Sequence, residues 1–378
     1  MNFDFSDREK AFFSQVNDAM IDYAGSRDLE SGDLSTIHGH LDGALSRLGP
    51  MGYLKLGISA EGQAVSGSLA MMAAMETLSG VSASIFLSVE MAARFFGRIL
   101  TLWDLKEDKK ALLKRLTDGG LIGAVALSES AMNVENEPLA TVGVRDGSRI
   151  AVSGAKGYVV NGPVADWYAV VGCLDGRVVA FLIEKTAPGL TLTGRIATMG
   201  YNGVAICGLE LDAVRVPQSR VIGPFETRHW LDTLKMWENQ ILIVAALGMM
   251  NRSFETARDF AKTHHSGGKP VIAYQEVGFK LSEMLTLYQT AQLYAYRAAW
   301  MADDDPKAAG VMTLCAKVFC TEAAETVAGK ALQVLSGDGY RSGSAAEQAY
   351  RCAKYGQIAG ISSEIARVKI GDAALGRL

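Results

Sequence analysis

The stretch Gln333-Val-Leu-Ser-Gly-Asp-Gly-Tyr340 decides the fold of this chain. It lies at the end of a helix that we predict over residues 306–335, and Tyr350-Arg-Cys-Ala-Lys354 follows it at a short interval. A loop, Ile358-Ala-Gly-Ile-Ser-Ser-Glu-Ile365, then leads into the last predicted helix. Within this loop Gly360 has no side chain, so this position cannot supply a reactive group.

The composition is that of an ordinary globular protein of two or three domains. The 378 residues are 49% hydrophobic and 21% charged, with a net charge of -4. Because no block of Lys and Arg is present to neutralise phosphates, we expect no nucleic acid partner. The N-terminus has no leader pattern, and the longest apolar run, residues 241–250, is too short to span a membrane.

The cysteines and histidines indicate a reducing compartment and no metal. The five cysteines form no CxxC motif, which favours free thiols and a cytoplasmic location. The five histidines are too few and too badly spaced for a zinc site. His264 and His265 are adjacent, which is usually a surface feature.

The spacing of apolar residues divides the chain into three parts. We predict an N-terminal helical domain over residues 1–117, a central antiparallel β domain over 118–224 and a C-terminal helical bundle over 225–378. In the first part Ser6 can cap the first helix. The nearly uncharged stretch 66–100 indicates buried helix.

Short alternating runs predict the strands of the central part. Turn residues such as Asp146-Gly147 and Asp175-Gly176 separate them, and Pro217 and Gly223-Pro224 end the pattern. The predicted strands are residues 121–125, 141–144, 149–152, 158–160, 167–171, 178–183 and 209–211. The predicted helices of the last part are residues 238–262, 276–301 and 306–335, with one more from about Ser362.

Four segments resemble the acyl-CoA dehydrogenase family, in the order that the family has them. They are residues 126–130, 154–168, 199–217 and the strip at 333–354. In the family these positions carry Ala-Leu-Thr-Glu-Pro, Gly-x-Lys-x-Trp-Ile-Thr-Asn-Gly, Met-Gly with Phe-Asp-Asp-Val-x-Val-Pro, and Gln-x-x-Gly-Gly-x-Gly-Tyr with Arg-Asp-Ala-Lys. The resemblance implies an α+β fold with an N-terminal helical domain, a central antiparallel β domain and a C-terminal four-helix bundle.

The resemblance also implies FAD as the hydride acceptor. Family members complete the cofactor site across subunits, so it implies a dimer or a homotetramer, with Gln333 and Gly337 reaching the FAD of the neighbour. Tyr158 would be the apolar platform for the flavin ring. The implied FAD contacts are Val125, Leu127, Ser128, Tyr158, Val160, His264, Ser266, Gln333, Gly337, Ser362 and Glu364.

The usual catalytic glutamate of the family is absent, because its position in the loop falls on Gly360. Isovaleryl- and long-chain-type members lack this glutamate too. They carry the base on the first bundle helix, ten residues before a glycine. Here Glu238 stands ten residues before Gly248, with Ile241 and Leu242 between them on an apolar face. The resemblance therefore implies Glu238 as the base for the substrate α-proton.

Several positions depart from the family pattern. His264 replaces the arginine that meets the FAD pyrophosphate, and a mostly neutral histidine is a poorer phosphate partner. Val160 replaces a threonine whose hydroxyl would reach the flavin. The implied substrate contacts are Val134 and Val204 in place of serines, Asn239 in place of an arginine, and Gly360.

Three explanations of these departures stay open: a substrate delivered on a carrier protein, a site shared with a related subunit, or loss of dehydrogenation. Our first interpretation is a flavin-dependent dehydrogenase that oxidises the Cα–Cβ bond of an acyl thioester, bound to CoA or to an acyl carrier protein. Its electrons would pass to an electron-transfer flavoprotein. The alternative is a non-catalytic or site-sharing subunit of a heteromeric complex.

Overall fold

The computed structural model describes residues 4–58, 65–102, 107–130 and 139–377. Helices come first, a sheet follows, and a second set of helices ends the chain. This order confirms the fold class predicted from the sequence. The domain boundaries after residues 117 and 224 stay a prediction.

The N-terminal helices are α1 (Asp7–Ala24), α2 (Leu34–Leu48), α3 (Gly67–Val81), α4 (Ala83–Val89), α5 (Phe96–Thr101) and α6 (Glu107–Thr117). Ser6 caps α1 as expected, through a reciprocal pair of hydrogen bonds with Glu9. The stretch 66–100 is mostly buried helix, but it is interrupted at Ser82, whose side chain caps α4. A π-helical segment, Glu90–Phe95, joins α4 to α5.

A buried ion pair ties this π-helical segment to the chain before it. Arg94 and Glu90 pair at 2.5 Å, with side chains only 2% and 0% exposed. The Tyr53 hydroxyl donates to Glu90 at 2.7 Å, and Arg94 also donates to the carbonyl oxygen of Leu56. Burial and the neighbouring Glu90 raise the pKa of Tyr53. Every charge in this cluster therefore has a partner, as burial requires.

The central strands are β1 (Gly123–Ala126), β2 (Val142–Asp146), β3 (Arg149–Val160), β4 (Trp167–Leu174), β5 (Arg177–Glu184), β6 (Leu190–Leu192), β7 (Ile206–Pro217) and β8 (Val221–Phe225). Their order in the sheet is β6-β7-β3-β2-β4-β5-β8, and β1 pairs with β4. Most pairs are antiparallel, as predicted, but β4 pairs in parallel with β1 and with β2. The sheet also includes β8, which was not among the predicted strands.

The C-terminal helices are α7 (Thr227–Thr263), α8 (Gln275–Asp304), α9 (Pro306–Tyr340), α10 (Ala345–Ile358) and α11 (Ser363–Ala374). A hairpin of β9 (His265–Ser266) and β10 (Lys269–Pro270) follows α7. The backbone of Ser336 is non-helical and breaks α9 near its end. None of the described helices combines the length and the apolar character needed to cross a membrane.

The start of α7 differs from the prediction in a way that affects the site. The helix begins at Thr227, so Glu238 lies eleven residues inside it rather than at its head. The field of the helix dipole is confined to the first turn. The environment of Glu238 therefore comes from the side chains packed around it and not from the helix end.

Candidate active site

The structure brings together Glu238 and Gly360, the two positions from which the resemblance derives a base. Lys235, one turn before Glu238 on α7, joins them. Its Nζ atom lies 3.5 Å from Glu238 Oε2 and donates to the carbonyl oxygen of Gly360 at 3.2 Å. A carboxylate on α7 and the loop between α10 and α11 thus meet at one point.

Three polar side chains hold this loop against α7 and α9. Lys235 binds the Gly360 carbonyl oxygen, and Lys317 of α9 donates to the carbonyl oxygen of Ile361. Asn239 accepts the backbone N–H of Ile361 at 3.2 Å through Oδ1. The NH₂ group of Asn239 is buried and has no hydrogen-bond partner within the described residues. The loop backbone is therefore fixed, and one buried donor remains available.

Gly360 fits this loop because it has no side chain. Its φ angle is +66°, in the left-handed region that favours glycine. A Cβ atom built there would lie 2.5 Å from Asn239 Oδ1 and 3.1 Å from a methyl group of Leu242. A larger residue at this position would have to displace the asparagine that holds the loop.

The charges around Glu238 form a largely buried cluster. The Glu238 side chain is 15% exposed and that of Lys235 is 8% exposed. Burial lowers the pKa of Lys317 to about 8, although the nearby Glu238 and Glu364 partly oppose this shift. Burial and then Glu238 raise the pKa of Tyr355 on α10. Glu238 is thus a carboxylate at the edge of a polar cluster, a position from which it can accept a proton.

Sequence reasoning missed the two lysines of this cluster. The sequence contained a signal for Lys235, because it lies three residues before Glu238 and residues three apart on a helix are neighbours. Lys317 had none, since it reaches the loop from another helix 44 residues before its hydrogen-bond partner Ile361. The cluster is consequently more positive than the sequence indicated.

The segments implied to line the flavin lie side by side in the sheet. The carbonyl oxygen of Ser128 accepts the backbone N–H of Gly157 at 3.0 Å, and the carbonyl oxygen of Leu127 accepts Lys156 Nζ at 3.1 Å. Lys156 is itself buried in an ion pair with Glu129 at 2.6 Å, and burial lowers its pKa to about 8. This buried pair fixes the two segments to each other.

Tyr158 and Val160 differ in what they can offer a ligand. The Tyr158 side chain is 56% exposed, and its φ of +54° turns the ring out of the strand. Val160 is buried, and Val125 in β1 is half-buried. Tyr158 is therefore accessible as a flat apolar surface, whereas Val160 offers only a buried methyl group.

The remaining residues implied for FAD lie on other parts of the molecule. His264 follows α7 and stacks on Phe260 with ring centroids 4.5 Å apart, and the exposed Ser266 lies in the hairpin beyond it. Gln333 and Gly337 are exposed beside the break in α9. Ser362 caps α11 by accepting the N–H of Ile365 at 3.3 Å, next to the exposed Glu364, whose pKa is lowered by its own backbone N–H and by Ser362. No contact between described residues joins His264, Ser266, Gln333 or Gly337 to Glu238.

Of the implied substrate contacts, Val204 does not lie open to a ligand in this structure. The Val204 side chain is buried, with 1% exposure. Val134 lies outside the described residues. Asn239 and Gly360 are the two that adjoin Glu238.

Comparison with known proteins gives a consistent result. Residues 235–375 match the family described as "Acyl-CoA dehydrogenase, C-terminal domain". The human mitochondrial short-chain specific acyl-CoA dehydrogenase is 30% identical over 337 residues, which cover 86% of this chain and 81% of that protein. The butyryl-CoA dehydrogenase of Megasphaera elsdenii has a similar fold, with a TM-score of 0.89 at 22% identity, covering 99% of this chain and 100% of that one. The prolyl acyl carrier protein oxidase AnaB has a TM-score of 0.87 at 24% identity, covering 98% and 100%.

Replacing Gly360 by alanine should destabilise the protein more than a positive φ angle alone explains. The matched control is Gly147→Ala, because Gly147 has a φ of +61° with no atom within 4 Å of a built Cβ. We expect about 1–2 kcal/mol for the control, from the left-handed backbone, and a larger loss for Gly360→Ala. Urea unfolding measures both. Equal losses would show that Asn239 does not restrict position 360.

Proposed function

The chain belongs to the acyl-CoA dehydrogenase family, and we propose that it oxidises the Cα–Cβ bond of an acyl thioester with Glu238 as the base. The observation that carries this proposal is that Glu238 adjoins the loop that contains Gly360, between α10 and α11. Position 360 lacks a carboxylate, and α7 supplies one beside it. The sequence likeness to a short-chain acyl-CoA dehydrogenase over most of both chains supports the same activity.

Glu238 accepts the α-proton of the substrate in this proposal. A general base must lie within hydrogen-bond reach of its proton, and a largely buried carboxylate that is paired with Lys235 is held in place for that. Lys235 orients the carboxylate and ties it to the Gly360 carbonyl oxygen. The buried NH₂ of Asn239, which lacks a partner among the described residues, is a donor for a polar atom of the substrate. FAD, when bound, supplies the acceptor for the β-hydride.

The residues of the sheet fit FAD. The exposed Tyr158 ring stands where the segments of Leu127 and Ser128 and of β3 meet, and an apolar platform beside backbone polar groups suits a flavin ring. His264 would approach the pyrophosphate, and Gln333 and Gly337 would reach the cofactor of a second subunit. Val125, Val160, Ser266, Ser362 and Glu364 complete the proposed FAD contacts.

We further propose that the group that carries the acyl thioester is not bound through the contacts that the family usually makes to CoA. Asn239 replaces an arginine, and Val134 and Val204 replace serines, so charged and hydroxyl contacts are lost. An acyl carrier protein contributes contacts of its own surface and depends less on these groups. One protein of the same fold is a prolyl acyl carrier protein oxidase.

The proposed partners are an electron-transfer flavoprotein and further subunits. Phe279, Leu293 and Trp300 are exposed on α8 at spacings of fourteen and seven residues, which places them along one side of the helix. Exposed apolar residues in a row are typical of a surface that another chain covers. We propose a dimer or a homotetramer and, from the free cysteines, a cytoplasmic location.

A non-catalytic or site-sharing subunit is the second candidate. Two observations favour it. Lys235 already forms an ion pair with the Glu238 carboxylate, and His264 is a weak partner for a phosphate. The visible spectrum of the purified protein separates the two. Flavin absorbance that bleaches on addition of an acyl thioester supports the enzyme, whereas a colourless protein that does not change with added FAD supports the subunit.

Replacing Glu238 by glutamine should preserve the fold and the flavin but abolish α-proton exchange and flavin reduction. A general base contributes about 10²–10⁴-fold, so the rate should fall by at least that factor. The control is Glu255→Gln, which neutralises a carboxylate on the same helix that is 44% exposed and paired with Arg258. Exchange into deuterated water, followed by mass spectrometry, measures the step. Turnover of Glu238→Gln near that of the wild type would remove Glu238 from the mechanism.

Relocating the carboxylate is a stricter form of this test. Family members place the base either on this helix or in the loop, so Glu238→Gly with Gly360→Glu moves the carboxylate to the other origin. A Cβ atom at position 360 would lie 2.5 Å from Asn239 Oδ1, so we expect recovery only when Asn239→Ala is added. Recovery without that third change would contradict the steric argument.

Replacing His264 by arginine should tighten FAD binding. Histidine at this position lacks the permanent charge and the fork of donors that suit a phosphate. One charge-assisted hydrogen bond corresponds to roughly a tenfold to hundredfold change in the dissociation constant. The control is His265→Arg, since His265 bonds to the Thr263 carbonyl oxygen at 3.0 Å instead. Fluorescence titration with FAD would reject the site if the His264→Arg variant gave an unchanged or higher Kd.

The choice of carrier can be measured directly. The same acyl group should react with a higher kcat/KM on an acyl carrier protein than on CoA. The pantetheine thioester is the control, because it contains only the arm that both carriers share. A higher kcat/KM for the CoA thioester than for the matched carrier-bound substrate would reject this part of the proposal.

A further inference from the structure

The ion pair between Lys235 and Glu238 is a feature that the proposed reaction does not by itself require. Lys235 Nζ lies 3.5 Å from Glu238 Oε2, and the two side chains are only 8% and 15% exposed. At this depth little water separates or screens the two charges, so the ammonium acts on the carboxylate more strongly than it would on an open surface. Lys235 therefore influences the charge of the group that we propose as the base.

A second bond holds the Lys235 ammonium in place. Its Nζ atom also donates to the Gly360 carbonyl oxygen at 3.2 Å. The loop that carries this oxygen is itself restrained, because Asn239 Oδ1 accepts the backbone N–H of Ile361 at 3.2 Å. A lysine side chain that is already fixed by one bond loses less conformational entropy when it pairs with a carboxylate. The arrangement thus favours a persistent ion pair.

Two other described helices bring titratable groups towards Glu238. On α9, burial lowers the pKa of Lys317 to about 8, and Glu238 and then Glu364 oppose this shift. On α10, burial and then Glu238 raise the pKa of Tyr355. Glu364 on α11 adjoins Lys317, and its own pKa is lowered by its backbone N–H and by Ser362. Glu238 is therefore surrounded by groups from three helices besides its own.

These neighbours do not change their charge on the acid side of neutrality. Lys317 loses its proton only on the alkaline side, and the raised pKa of Tyr355 keeps its hydroxyl neutral. Lys317 donates to the Ile361 carbonyl oxygen, and no ion pair between described residues joins it to Glu238. Lys235 is thus the cation in direct contact with the carboxylate.

The cation near α5 meets a different side of α7. Arg98 donates to Gln240 Oε1 at 3.1 Å, and its guanidinium lies 5.5 Å from the Trp237 ring. Residues 237 and 240 are one turn apart and share that side of the helix, whereas Glu238 projects from another side together with Lys235. Arg98 therefore does not take the place of Lys235.

The charge of a neighbouring lysine matters to a base, because a carboxylate must be ionised before it can accept a proton. Burial favours the neutral acid, and an ammonium within about 4–6 Å favours the ionised form. The two effects oppose each other at Glu238. Without Lys235 the effect of burial would be less opposed, and the carboxylate would take up a proton from solvent at a higher pH.

We propose that Lys235 regulates the reaction by setting the lowest pH at which Glu238 can act as the base. The inference rests on the proposed function and adds to it the regulation of the same site. Lys235 does not touch the reacting carbons. It is a positioning residue that acts through Glu238, and acidification switches the site off when Glu238 becomes protonated in spite of the ion pair.

The pH profile of kcat/KM for hexanoyl-pantetheine tests this inference. In Lys235→Met the acidic limb should move to higher pH by about 1 unit or more, because a neighbouring opposite charge displaces the titration of a carboxyl group by about 1–3 units. Lys235→Gln keeps a donor for the Gly360 carbonyl oxygen but removes the charge, so its limb should move equally far. Lys235→Arg keeps the charge and should retain the wild-type limb.

Lys369→Met is the matched control. Lys369 also pairs with a carboxylate of α7, Asp232, at 3.1 Å, but this pair is more exposed and lies six residues before Glu238. Its removal should leave the acidic limb unchanged. An equal shift in Lys369→Met would overturn the inference, because any lysine near α7 would then have the same effect. A shift in Lys235→Met that Lys235→Gln lacks would also overturn it, because the loop bond would then be the cause.

A second measurement does not depend on turnover. Infrared spectra of protein labelled with ¹³C in the glutamate carboxyl groups, taken as a difference against Glu238→Gln, follow the carboxyl band of Glu238 as the pH changes. The band of the protonated acid should appear at a higher pH in Lys235→Met than in the wild type. A band that does not move would reject the inference, and turnover of the thioester would then leave the proposed function standing. A moved band without turnover in any variant would reject the enzyme and retain the effect of Lys235 on Glu238.

Discussion

The hydrogen bonds that hold the Gly360–Ile361 backbone are the constraint on which the proposed site depends. Buried carbonyl oxygens need donors, and buried ammonium groups need acceptors. Lys235, Asn239 and Lys317 meet both needs at once, because they join α7 and α9 to the loop. This arrangement leaves no room for a side chain at position 360. It also places a cation beside Glu238, so the fixing of the loop and the environment of the base have the same origin.

The two sides of α7 differ in how their charges are balanced. Towards the loop, Glu238 adjoins two lysines, and the Asn239 amide is a buried donor without a partner among the described residues. Towards α5, Arg94 is paired with Glu90 while Arg98 has neutral acceptors. An anionic reaction intermediate near the lysines would meet positive charge. One helix thus separates two different electrostatic environments.

The elements that sequence reasoning misplaces have identifiable physical causes. The pattern predicts residues 149–152 and 158–160 as separate strands because glycines interrupt it between them. They form one strand, since pairing with β7 continues past Gly154 through irregular register. Helix α7 starts earlier than predicted, because Trp230, Leu231 and Leu234 are buried and packing extends the helix towards β8. Helix α10 has no counterpart among the predicted helices, although it contains the motif at residues 350–354.

The order of helices, strands and helices follows from the periods of the apolar residues, which are local properties of the chain. Residue identity at single positions was also decisive, since the missing side chain of Gly360 and the spacing of Glu238 from Gly248 are visible in the sequence alone. Only the tertiary structure decided which charges meet. Lys317 and Ile361, or Arg98 and Gln240, are far apart in the chain, and their contacts depend on how the helices pack. Electrostatic environments arise from such contacts, so no local pattern could have indicated them.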